Sequence, residues 1–182
     1  GSKNIVILLK TVTKLFFITF NTETLDSSSI IHTITIPNYD KIYDPSFSTN
    51  SEKSQVFVDR IFNDWYILLL SDRIIGTRRM CYYYHYNNST QTSTLKWSHP
   101  LPLEYSEIAG AIYYKSDDSW IIGCNNPSSI IHIDSAGAFH QDGFRVDFED
   151  DITLMQRQYD GMIQVVINNS DIKRFLYYKD TN

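Results

Sequence analysis

Apolar positions along this chain come in short runs rich in Ile, Val, Tyr, Phe and Thr. Each run is bounded by Asn, Asp, Ser, Gly or Pro. Branched and aromatic side chains pack well on a pleated surface, and the bounding residues are turn formers, so the pattern is that of β-strands. It predicts strands over 4–9, 15–20, 30–36, 56–62, 65–70, 79–86, 94–98, 110–114, 120–124, 130–134, 152–156, 162–167 and 173–178. No window of helical length holds an apolar stripe at i, i+3, i+4 and i+7 without a competing strand reading. The best helical stretch, 102–108, spans only about two turns. In 30–36 the residues alternate, and Ile34 and Ile36 place the face of 30, 32, 34 and 36 inward. The run 65–70 is apolar throughout, as expected of a strand covered on both faces.

A self-match organises these strands. Ser28-Ser29-Ile30-Ile31-His32 recurs letter for letter as Ser128-Ser129-Ile130-Ile131-His132, 100 residues later. Half that separation is a period of about 50, in the range of propeller blades. An intermediate strand stands at Arg79-Met80-Cys81-Tyr82-Tyr83-Tyr84. The runs 15–20, 65–70, 120–124 and 162–167 each follow a short polar turn, and each turn follows a further strand. The chain parses into four units of strand, turn, strand, turn and strand, spaced roughly 43 to 54 residues apart. The expected units are 3–50, 51–106, 107–148 and 149–182 of a single all-β domain, with Gly1-Ser2 read as a cloning scar. Some units add a fourth strand, best seen at 94–98. The expected fold is a propeller-like array of about four small antiparallel sheets. A small meander cannot hide both its apolar faces, and stacking sheet on sheet does so while limiting exposed edges. A β-sandwich or jelly roll is the alternative. Ser93-Thr94-Leu95-Lys96-Trp97, after a Tyr-rich strand, resembles the strand-end tryptophan of quinoprotein-type propellers. The match covers one unit of four and lacks the usual preceding Gly. It implies nothing about activity or cofactor.

Composition narrows the function classes. The chain has 182 residues, 42% hydrophobic and 20% charged, which suits a chain that buries a core rather than a disordered one. Its net charge of -5 argues against a nucleic-acid partner, which needs a basic face. The longest early apolar run, 5–9, is too short for a membrane span or a signal-peptide core. The composition assigns no compartment. Cys81 and Cys124 have no ligand at metal spacing, so a zinc ribbon is excluded and two buried thiols are expected, with a single long-range disulfide as the alternative.

Candidate chemistry is sparse. Five histidines occur, and His32 and His132 hold matching places in the repeat. None shows metal spacing, and a hydrogen-bonded strand histidine is the expected role. Carboxylates cluster at Asp117-Asp118 and at Asp147-Phe148-Glu149-Asp150-Asp151. Two carboxylates across a cleft perform glycosidic acid–base chemistry, but these fall in a predicted turn and between units, where solvated loops are expected. The second run lacks calcium-loop spacing. There is no phosphate-binding Gly loop and no nucleophile elbow. Gly137 and Gly143 stand where turns are expected. No cofactor and no metal are implied.

Aromatic side chains make up 14% of the chain, with 13 Tyr. Tyr, Trp and Arg dominate protein-binding hot spots, because they bury large area at low entropic cost, and aromatic rings also stack on sugars. The candidate binding residues are Tyr82, Tyr84, Tyr86, Trp97, Tyr113, Trp120 and the basic pair Arg78-Arg79. Buried rings with hydroxyls at the rim are the competing role. Asn87-Asn88-Ser89-Thr90 and Asn168-Asn169-Ser170 contain glycosylation sequons, which matter only in a secreted protein. With no catalytic constellation, the sequence leads to a non-catalytic protein-interaction module, a rigid β scaffold within a larger assembly. Its expected partner is a protein, and the four units either close as a small propeller within the chain or form part of a larger one completed as a homo-oligomer or by another chain. A carbohydrate-binding module or lectin is the alternative, and a divergent glycoside-processing enzyme the second alternative.

Overall fold

A computed structural model describes residues 4–11, 14–24, 27–35, 55–75, 78–102, 107–158, 162–168 and 171–175. Among them are fourteen strands and no helix. Sheet 1 holds β1 (Asn4–Lys10), β2 (Lys14–Asn21) and β3 (Ser27–Thr35). Sheet 2 holds β4 (Gln55–Ile61), β5 (Asp64–Ile75), β6 (Arg78–Asn87) and β7 (Thr92–Pro100). Sheet 3 holds β8 (Glu107–Tyr114), β9 (Ser119–Asn125), β10 (Ser129–Ile133) and β11 (Phe139–Asp147). Sheet 4 holds β12 (Ile152–Arg157), β13 (Ile163–Ile167) and β14 (Asp171–Phe175). Every pairing is antiparallel, and within each sheet the strands lie side by side in chain order. None of the sheets closes into a barrel.

The sheets pack face to face in the order of the chain. Sheets 1 and 2 enclose Leu15, Phe17 and Ile34 against Trp65, Ile67, Leu69, Tyr82, Tyr84 and Tyr86. Sheets 2 and 3 enclose Tyr66, Leu68, Leu70, Cys81, Tyr83 and Trp97 against Tyr113, Trp120, Ile122, Cys124, Ile131 and Ile133. Sheets 3 and 4 enclose Ile112, Ile121 and Ile130 against Ile152, Met155, Ile163, Val165 and Ile167. Consecutive residues of β5 and of β9 therefore belong to different cores, which is why both strands read as unbroken apolar runs. Both cysteines are buried and not joined in a disulfide, so the disulfide alternative falls away.

Between sheets 2 and 3, and between sheets 3 and 4, the first strands of the two sheets approach each other closely. Gln55 Nε2 of β4 donates to the Ile108 carbonyl of β8 at 2.7 Å, and the Ile108 N–H donates to Gln55 Oε1 at 3.3 Å. Gly110 of β8 faces β12 so tightly that a Cβ there would stand 2.6 Å from Met155 Cβ. Between sheets 3 and 4, buried Asn125 repeats the amide clamp. Its Nδ2 donates to the Ile152 carbonyl at 3.0 Å, and its Oδ1 accepts from the Ile152 N–H at 2.9 Å. A primary amide carries both a donor and an acceptor, so one side chain satisfies both backbone groups of a residue in the next sheet.

The two Ser-Ser-Ile-Ile-His stretches lie on third strands, β3 of sheet 1 and β10 of sheet 3. His32 pairs with Phe17 and His132 with Ile121, and both partners face the following sheet.

Three expectations change. A bulge in β3 opposite Phe17 and Ile18 skips Ile31, so Ile30 does not share the inward face of His32 and Ile34. It points outward and is exposed. The segment Phe139–Asp147 forms β11, although it was not expected as a strand, and Gly143 lies within it rather than in a turn. Asp142-Gly143 is locally a turn former. The ladder with β10 passes from Arg145 opposite Ile131 to His140 opposite His132, so Asp142-Gly143 fall in a bulge of β11, where a turn-forming pair is accommodated. Residues 103–106 of the helical stretch 102–108 lie outside the described residues, and Glu107 and Ile108 open β8.

Candidate functional site

The residues expected to bind are mostly core. Tyr82, Tyr84 and Tyr86 face sheet 1, while Trp97, Tyr113 and Trp120 line the space between sheets 2 and 3, and all six are buried. Their rings stack on one another rather than on solvent. Tyr86 stacks on Phe17 at 3.9 Å between centroids, and Trp120 meets Tyr83 edge-on at 5.7 Å. Arg79 is half-buried at the start of β6, and the Arg78 side chain is outside the described residues, although its backbone belongs to β6. The expected residues therefore form no exposed aromatic platform of the kind a sugar ring stacks on.

The structure instead assembles polar and aromatic groups where the β4–β5 and β8–β9 hairpins turn. Asp118 lies in the β8–β9 turn with φ of 53°. Its Oδ1 accepts from the Tyr83 hydroxyl of sheet 2 at 2.6 Å and from the Tyr113 hydroxyl of sheet 3 at 2.7 Å. Lys96 Nζ of β7 stands 3.8 Å from its Oδ2. Tyr113 stacks on Tyr66 at 3.9 Å, and Tyr66 stacks on His85 at 5.0 Å, both within 12° of parallel. His85 Nε2 meets Asp64 Oδ2 at 3.2 Å. One carboxylate thus joins two sheets, and a column of three rings crosses between them.

The electrostatics follow from the burial. Desolvation pushes the Tyr83 hydroxyl far above its ordinary range, and donation to Asp118 adds to the shift, because the phenolate would face a carboxylate. Tyr113 rises chiefly by desolvation, with Asp118 adding to it. Tyr66 rises by desolvation and by the charges of Asp64 and Asp118. All three remain neutral donors across the physiological range.

The sequence places a polar turn at Asn63-Asp64 but ends the preceding strand on Phe62, so it misses Phe62 as the tip of the β4–β5 hairpin. Phe62 lies beyond β4, between Ile61 and Asp64, which pair with each other. Its φ is 56°, and its ring is 84% exposed. An aromatic residue in the left-handed region is an outlier, because its Cβ crowds the backbone there. Lys115 Nζ of the β8–β9 turn lies 4.9 Å from the centre of the Phe62 ring. Nearby, Arg157 of β12 donates from Nη2 to the Tyr113 carbonyl, stands 3.4 Å from Asp59 Oδ2 and lies 4.7 Å over the Tyr114 ring. The only local hint of the turn was Asn63-Asp64 between two apolar runs.

His85 and Asp64 form an imidazole–carboxylate pair, but among the described residues no hydroxyl or thiol is bonded to His85. The carboxylates weighed for glycosidic chemistry do not converge. Asp117 and Asp118 precede β9, whereas Asp147 ends β11 opposite Ser129, and Glu149 follows it, at the other end of sheet 3. Among the described residues no group of three His, Cys, Asp or Glu side chains is placed to hold a metal, and no helix is long and apolar enough to cross a membrane. Asn87 Oδ1 accepts from the backbone N–H of Ser89 and Thr90, at 2.9 and 3.0 Å, so its sequon lies in a tight turn. Asn169 and Ser170 of the other sequon lie outside the described residues.

No protein-family model matches this chain, and no curated protein matches its sequence.

Proposed function

We propose that this chain is a non-catalytic protein-interaction module, a propeller-like β scaffold acting within a larger assembly and meeting its protein partner at the hairpin end. The observation that carries this reading is Phe62, a large apolar ring held out in water by a backbone conformation that disfavours it. Strained backbone persists where the surrounding structure over-determines it, and such outliers cluster at binding and switch sites. Lys115 lies against the ring, and Asp64 and Asp118 stand at the same two hairpin turns, which sets an apolar anchor beside charged groups, the usual anatomy of a hot spot. The aromatic column beneath keeps the two turns in fixed relation, so little ordering cost remains for the bound state.

The test is affinity capture from native lysate with the wild-type chain and with Phe62→Gly. Glycine occupies the left-handed region without strain, so the fold is preserved and only the ring is lost. A partner recovered by the wild type and reduced tenfold or more with Phe62→Gly supports the reading. Equal recovery with both chains removes the hairpin end from it.

A further inference from the structure

The two ends of the stack present unlike faces. The outer face of sheet 1 carries three cross-strand rows: Ile5 with Phe20, Ile7 with Ile18 and Ile30, and Leu9 with Phe16 and Thr33. Ile5, Ile7, Leu9 and Ile30 are 48, 41, 49 and 57% exposed, and no charged side chain belongs to these rows. Contiguous apolar patches on monomers reach about 300–600 Å² and are often functional at that size. The outer face of sheet 4 carries one apolar row, Leu154 with Val166 and Ile172, beside a polar row of Gln156, Gln164 and Arg174. Leu154 and Ile172 are 46 and 58% exposed.

The geometry points to a second copy of this chain as the occupant, with sheet 4 of one copy packed on sheet 1 of the other. The reason is continuity with the interfaces inside the chain. Each of the three internal cores forms where the following face of one sheet meets the preceding face of the next. Among the described residues, nothing covers the following face of sheet 4, which ends the stack, or the preceding face of sheet 1, which begins it. Packing sheet 4 on sheet 1 repeats the internal arrangement a fourth time. Packing sheet 1 on sheet 1 does not repeat it, because two preceding faces would meet. In a two-fold dimer the same contact occurs twice and closes eight sheets into a ring, within the range of known propellers of about four to eight blades. This inference stands apart from the Phe62 reading, since neither end face includes Phe62.

The test measures the solution mass of the whole chain by light scattering across a concentration series. The expected result is a species of about twice the chain mass of 21.2 kDa. Ile7→Lys and Leu154→Lys, both at exposed positions, are each expected to yield monomers with an unchanged circular dichroism spectrum. Ile30→Lys and Ile172→Lys serve in their place if either fails to fold. An equimolar mixture of the sheet 1 variant and the sheet 4 variant retains one intact contact per pair, so it is expected to recover dimers at weaker affinity. A wild-type monomer at every concentration overturns the inference. So does a dimer that survives Leu154→Lys, since that is the outcome of sheet 1 packing on sheet 1, and so do species larger than two copies.

Discussion

Single residues set the character of the hairpin end. Phe62 in the left-handed region costs stability that a glycine would not, so Phe62→Gly is expected to raise the unfolding free energy by about 1 kcal/mol in urea titrations while weakening partner capture. A change that stabilises the fold and weakens binding separates a functional residue from a structural one. Asp118 acts in the opposite sense. Its removal leaves the Tyr83 and Tyr113 hydroxyls without their acceptor, and Asp118→Ala is expected to cost about 2–3 kcal/mol on the same assay. The buried acids also fix a pH dependence. Burial pushes the Cys81 thiol up to about 12 and the Tyr84 hydroxyl up to about 12, with Tyr83 and Tyr113 raised as well. Their folded values exceed the unfolded ones, 9.0 for the thiol and 10.0 for tyrosine, so the unfolded chain loses these protons first. Stability is therefore full below about pH 9 and falls as pH rises through 10 to 12. Alkaline titration is expected to show phenolate absorbance from these tyrosines rising together with loss of structure. Ionisation of Tyr83, Tyr84 or Tyr113 near pH 10 in a chain still folded would contradict the placement of these groups.

At the scale of elements, contact between sheets depends on absent side chains and on amide clamps. Gly110 lets β8 meet β12, and an added Cβ would strike Met155 Cβ at 2.6 Å and the Met155 carbonyl at 3.2 Å. Gly110→Ala is expected to destabilise by about 1–3 kcal/mol. Met155→Ala should not rescue it, because alanine keeps the atoms that clash. Rescue by that second change would show that the contact is made by the outer part of the Met155 side chain. Asn125 has the complementary role. It lies between the turn-forming pair Asn126-Pro127 and an apolar strand, and it is buried because it satisfies both backbone groups of Ile152. Asn125→Ala leaves those groups unpaired, and a loss of about 2 kcal/mol is expected, with hydrogen exchange accelerated at the Ile152 amide.

At the scale of the molecule, stability is distributed over three cores that share their sheets. Among the described residues, sheets 2 and 3 are each packed on both faces, whereas sheets 1 and 4 are each packed on one. A stack in which each sheet meets only its neighbours behaves nearly as a one-dimensional array, and its ends open more readily than its middle. Ile163→Ala in sheet 4 is therefore expected to speed hydrogen exchange mainly in β12–β14, whereas Tyr83→Ala in the central core is expected to speed it throughout. Uniform acceleration from both changes would mean that the four sheets unfold as one cooperative unit.

The alternation of branched and aromatic residues with turn formers was enough to identify an all-β chain of small antiparallel sheets, because strand periodicity is local and each meander follows the chain without crossovers. The unbroken apolar run of β5 likewise announced a strand covered on both sides. What lay beyond the local pattern depended on neighbours distant in sequence. The bulge that turns Ile30 outward and the bulge that holds Asp142-Gly143 within β11 are both decided by pairing with the adjacent strand. The aromatic residues show the same division. Composition identified Tyr82, Tyr84, Tyr86, Trp97, Tyr113 and Trp120 as large apolar rings, but a ring's identity is the same in a core as at a rim. Only the stacking of whole sheets buried those six and left Phe62 outside, since burial is a property of what lies opposite a residue and not of the residue itself.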